Sequence, residues 1–124
     1  LQPPDPHDPH PYRSLVGYKD SLRRTAEMDI AIAAPGHGTP FQGLPARCGA
    51  ILAMQDRRIG RTHRILADRG PMSLKDLSHA MFGRVRQWDV FLTLSEALGA
   101  VQALQAQGRV ESLPVDGIEM YAAV

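Results

Sequence analysis

Ile30-Ala31-Ile32-Ala33-Ala34-Pro35-Gly36-His37-Gly38 decides how this chain is read. Five apolar residues run straight into a turn that presents a single imidazole. Proline fixes one backbone angle, and the flanking glycines permit positive φ and leave the ring open. The segment Ile30 to Ala34 therefore reads as a short strand, with Pro35, Gly36 and Gly38 supporting His37. A histidine aimed by backbone in this way suits a metal ligand or a catalytic base. An ordinary turn histidine has the same local sequence.

Outward from the turn, Tyr12 to Met28 reads as a helix, with Leu15, Tyr18, Leu22 and Ala26 on one face. Thr39 to Pro45 holds two prolines and Gly43 and marks a boundary between residues 1–45 and 46–124. A long helix over Ala46 to Arg69 places Cys48, Leu52, Gln55, Ile59, Thr62 and Leu66 on one side. His63 lies at the edge of that side, as a core-edge residue or hydrogen-bond partner. Arg57, Arg61 and Arg64 share the opposite side. That stripe reads either as a solvated helix face or as a surface for phosphate or RNA backbone.

Gly70-Pro71 stops the long helix. Ser73 caps a third helix, with Asp76 three residues on, and Gly83 ends it. Trp88 is expected to anchor the next loop in the core. Asp89 is the expected N-cap of a last helix over Val90 to Gln107. Phe91, Leu94, Leu98, Val101 and Leu104 or Gln105 form its apolar stripe, and Leu92, Glu96, Gly99, Ala100 and Ala103 its outward side. Val110 to Leu113 and Ile118 to Tyr121 read as strands joined by Pro114-Val115-Asp116-Gly117. Three helices and a terminal hairpin in this order read as a winged helix.

Several function classes recede on composition. The chain has 124 residues, 14 basic against 13 acidic, and a net charge of +1, so no long-range field calls for nucleic acid or an acidic membrane. No run approaches the roughly 18 apolar residues of a membrane span. The single Cys48 excludes an intramolecular disulfide and fits a reducing compartment, so the expected location is cytoplasmic. At the start, five prolines block helix and sheet and hold the stretch with Asp5, His7, Asp8 and His10 extended, so it reads as a solvated linker rather than a metal cluster. Between Trp88 and Gly108 there is no Lys or Arg, which argues against a DNA-reading helix. Small residues on that helix suit packing against protein.

The sequence resembles the metallo-β-lactamase-fold hydrolases that carry a C-terminal winged-helix domain. The resemblance rests on Tyr12-Arg13-Ser14-Leu15 and Ser21-Leu22-Arg23-Arg24, the Pro-Gly-His-Gly-x-Pro turn from Pro35 to Pro40, and Arg57, His63, Arg64, Ile65 and Leu66. It extends to Gly108-Arg109-Val110 and Asp116-Gly117-Ile118. It implies a mainly α chain with a small β-hairpin, in which a helix-strand remnant of an αββα metallo-hydrolase domain precedes a three-helix winged helix. It further implies that His37 is the last protein ligand of a one- or two-zinc centre in a parent enzyme acting on an ester, thioester or phosphodiester. The HxHxDH motif, a further histidine and a bridging aspartate of such enzymes do not precede His37 here. The chain is accordingly expected to be the C-terminal part of a larger hydrolase, with no tight zinc binding and no turnover by itself. Its expected partner is the missing N-terminal catalytic domain, with a homodimer through Ile30 to Ala34 as a further option. The alternative is a stand-alone winged-helix module that binds nucleic acid or protein through Arg57, Arg61 and Arg64.

Overall fold

The computed structural model describes residues 13–124. The proline- and histidine-rich stretch through Tyr12 lies outside them, so the linker expectation is not addressed. Four helices and three strands follow in the order α1 (Ser14–Ala26), α2 (Leu44–Arg69), β1 (Met72–Ser73), α3 (Leu74–Phe82), α4 (Trp88–Ala106), β2 (Val110–Val115) and β3 (Ile118–Ala123). The chain is mainly helical, with one small antiparallel sheet.

Helix α2 is the spine. Gly43, in the left-handed region at φ 77°, turns the chain into it, and Pro45 sits in the first turn, where a missing N–H costs nothing. At 1.5 Å per residue its 26 residues extend for about 39 Å. Cys48, Gln55, Ile59, Thr62 and Leu66 are buried along one side, the face given by its helical spacing. Arg57, Arg61 and Arg64 are exposed on the other.

Helix α1 lies across α2 and α4. Leu15, Lys19 and Leu22 are its buried residues. Lys19 is an unusual core-facing cation, and it forms an ion pair with Asp56 of α2, whose own side chain reaches solvent. Burying the alkyl stem while the ammonium meets a carboxylate is the low-cost way to place lysine there. Leu15 belongs to the same core cluster as Ile59, Leu66, Leu77, Ala97, Val101, Leu104, Val110 and Tyr121. A Cβ on Gly99 would lie 3.3 Å from the Leu15 Cβ.

That contact corrects the expected outward side of α4. Gly99, Ala100 and Ala103 are buried. Small residues do pack against protein here, but the protein is α1 of the same chain. The expected anchor also fails. Trp88 is 86% exposed, and Phe91 and Leu92 are more than half exposed. Helix α4 starts at Trp88 itself, behind Gln87 at φ 55°, so Asp89 lies in the first turn rather than at the N-cap. The helix spacing was right for Val101 and Leu104. It said nothing of where the covering elements end, and the first turns of α4 extend beyond them.

Helix α3 begins as its sequence suggests. The Ser73 hydroxyl accepts a hydrogen bond from the Asp76 N–H at 3.1 Å and itself donates to the Asp76 carboxylate. The sheet is larger than the expected hairpin. Its order is β1-β3-β2, with Met72 opposite Tyr121 and Ser73 opposite Met120. Strands β2 and β3 pair from Val110↔Ala123 to Val115↔Ile118 and are joined by a two-residue turn. Asp116 (φ 51°) and Gly117 (φ 77°) both have positive φ, as a primed hairpin turn requires. Pro114 therefore lies in a strand, which is tolerated because β2 is an edge.

Candidate functional site

The histidine turn is built by one isolated pairing. Ala33 and Phe41 exchange both backbone hydrogen bonds, at 2.9 and 3.0 Å. Ile30 to Ala34 thus contributes a bridge at Ala33 rather than the expected strand, and Ile30 and Ile32 are exposed. A strand needs a neighbour along its length, and among the described residues Phe41 is the one that supplies it. Between the paired residues Pro35 to Pro40 arch out as a closed loop. Gly38, at φ 98°, adopts a conformation that side-chain-bearing residues rarely take.

His37 stands exposed on this loop. With Pro35, Gly38, Thr39, Phe41 and Arg47 it lines a surface cavity of about 290 Å³. The Arg47 guanidinium lies 5.9 Å from the Phe41 ring centroid, which ties the loop to the first turn of α2. The imidazole is presented to the outside of the described chain. It has no fellow donors there: no group of three or more His, Cys, Asp or Glu converges among the described residues. A catalytic zinc normally takes three protein ligands. The described residues therefore do not fit a complete metal centre, and His37 supplies at most one position of one.

The arginine stripe divides. Arg57 and Arg61 line a cavity of about 250 Å³ with Met81 and Phe82, and the fifth lining residue is Arg58. Arg64 instead folds back along the helix, with an Nη 3.9 Å from where a Gly60 Cβ would stand. Arg58 escaped the sequence reading because its partners are distant in the chain. It pairs with Glu96 of α4 and lies 5.6 Å from the Phe82 ring centroid. Its adjacency to Arg57 was the one available signal.

His63 takes a structural position. The Arg109 guanidinium donates to its Nδ1 at 3.2 Å, and its Nε2 is buried without a partner among the described residues. Cys48 is buried and unpaired. Among the described residues no helix is long and apolar enough to cross a membrane.

Comparison with known proteins places this architecture. No family model matches the chain. It is 33% identical over 100 residues to the probable metallo-hydrolase YqjP of Bacillus subtilis, an alignment covering 81% of this chain and 31% of that protein. A β-lactamase domain protein from Burkholderia ambifaria superposes with a TM-score of 0.80 at 28% identity, over 91% of this chain and 34% of the other. A metallo-β-lactamase family protein from Thermus thermophilus shares the fold at a TM-score of 0.69 and 23% identity, over 86% of this chain and 32% of the other. The chain thus spans about a third of the length of the proteins it matches. In sequence and in fold, the chain is similar to one region of proteins described as metallo-hydrolases and metallo-β-lactamase-fold proteins.

Proposed function

We propose that this chain is the C-terminal third of a metal-dependent hydrolase, and that it serves the parent in two ways. The turn Pro35-Gly36-His37-Gly38 delivers one imidazole nitrogen to a metal centre, zinc in our reading, whose other ligands lie on the remaining two thirds. Helices α2 to α4 with the β2–β3 hairpin form an appended winged helix that packs on the catalytic domain and borders its substrate cleft. The observation that carries the reading is the exposed His37, held by the Ala33–Phe41 pairing and lacking fellow donors among the described residues, in a chain that aligns with a probable metallo-hydrolase. A single oriented ligand needs a second polypeptide segment to become a site.

The apolar exposure supports the same reading. Met28, Ile30 and Ile32 follow α1, and Trp88, Phe91 and Leu92 open α4, all exposed. These are surfaces that a larger neighbour would cover. A DNA-reading role for α4 has little support. Its middle is covered by α1, and it carries no Lys or Arg.

The test is metal analysis on a longer polypeptide that carries this sequence in place, beside its His37→Ala variant. The expected outcome is one or two metal ions per chain in the parent, and loss of about one of them, with at least a hundredfold loss of ester or phosphodiester hydrolysis, in the variant. Full metal content and activity in His37→Ala would overturn the assignment.

A further inference from the structure

The cavity between α2 and the end of α3 has a composition that the hydrolase reading does not use. Arg57 and Arg61 are four residues apart and so neighbours on one helix face. Both are exposed, and among the described residues neither has a carboxylate partner. Arg58 is different. Glu96 compensates its charge, and its guanidinium carbon lies over the Phe82 ring. The net charge lining the cavity is therefore two, carried by Arg57 and Arg61. Met81 and Phe82 add an apolar wall.

Each feature selects for something. Two adjacent guanidinium forks match a tetrahedral oxyanion with several acceptors, and match it better than a point cation would. Two uncompensated positive charges match a phosphate monoester, which carries about −1.5 to −2 near neutral pH. The apolar wall favours a monoester with an aromatic or acyl substituent over bare phosphate. The fixed Arg58–Glu96 pair keeps the third guanidinium from competing for the anion, so it acts as structure. A polynucleotide fits less well: the cavity is about 250 Å³, the net charge of the chain is +1, and α4 offers no cation.

The geometry points to Arg57 and Arg61 as the phosphate-binding pair of a site for small organic phosphate monoesters, with Met81 and Phe82 holding the organic part. The site stands whether or not the chain belongs to a working hydrolase.

Calorimetric titration of the 124-residue chain at low ionic strength, with phenyl phosphate, inorganic phosphate and phenol, tests it. Phenyl phosphate is expected to bind about tenfold more tightly than inorganic phosphate, with phenol undetected. The double variant Arg57→Gln/Arg61→Gln changes only exposed side chains. It is expected to weaken phenyl phosphate binding at least tenfold with an unchanged circular dichroism spectrum. Phe82→Leu is expected to bring phenyl phosphate down to the level of inorganic phosphate. Unchanged affinity in the double variant overturns the site, as does equal binding of the two phosphates by the parent chain. Tighter binding of a single-stranded RNA of about ten nucleotides through the same arginines overturns the small-ligand assignment.

Discussion

Gly99 marks the closest approach of α4 to α1. A methyl there would lie 3.3 Å from the Leu15 Cβ, so α1 would have to shift by a few tenths of an ångström. Alanine gains up to about 1 kcal/mol of helix propensity against that displacement, whereas valine adds bulk with no such return. Gly99→Val is expected to lower the unfolding free energy by about 1–3 kcal/mol in urea titration, with Gly99→Ala far milder. Tyr121 gives a second residue-scale expectation. Burial, and then the nearby Glu119 carboxylate, push its phenol above the ordinary value of 10.0. The folded chain thus holds a proton that the unfolded chain has already released. This contribution is intact below about pH 10 and is lost as pH rises through the raised value. Tyr121→Phe is expected to flatten the fall in urea midpoint between about pH 9 and 11. Neither effect was legible in the sequence. Spacing gives faces but not partners, so it puts Gly99 on the outward side, and it gives Tyr121 only as the end of a strand.

At the scale of elements, local chemistry was the legible part. Ser73 with Asp76 marked the start of α3, and the hydroxyl does accept the Asp76 N–H. Ser73→Ala is expected to cost about 1 kcal/mol, read as a lower thermal midpoint with an unchanged helical spectrum. The inner face of α2 followed its 3.6-residue period from Cys48 to Leu66. Elements that depend on distant pairing were not legible. Strand β1 is two residues long, and its assignment rests on Met120 and Tyr121, far along the chain. Ile30 to Ala34 has the composition of a strand, yet within the described residues only Ala33 finds a partner. Trp88 is exposed for a related reason, since aromatic character says a residue prefers cover and not that cover is present.

Over the whole molecule, α1 shares one core with α2, α3, α4 and the sheet, through Leu15 and its neighbours. The candidate site shows the opposite dependence. His37 was found from four residues of turn sequence, but its chemistry rests on groups that the described residues do not include. Arg58 was missed because Glu96 and Phe82 are brought to it only by folding. The sheet order has one further consequence, for the sequence of events when the molecule opens. Pairing of β1 with β3 closes a loop of roughly fifty residues, an entropic cost of about 3 kcal/mol set against two residues of ladder. The β2–β3 hairpin carries no such cost, because its turn is local. The short strand is thus a latch: it closes after the helices have gathered its two sides together, and it is the first part of the sheet to let go.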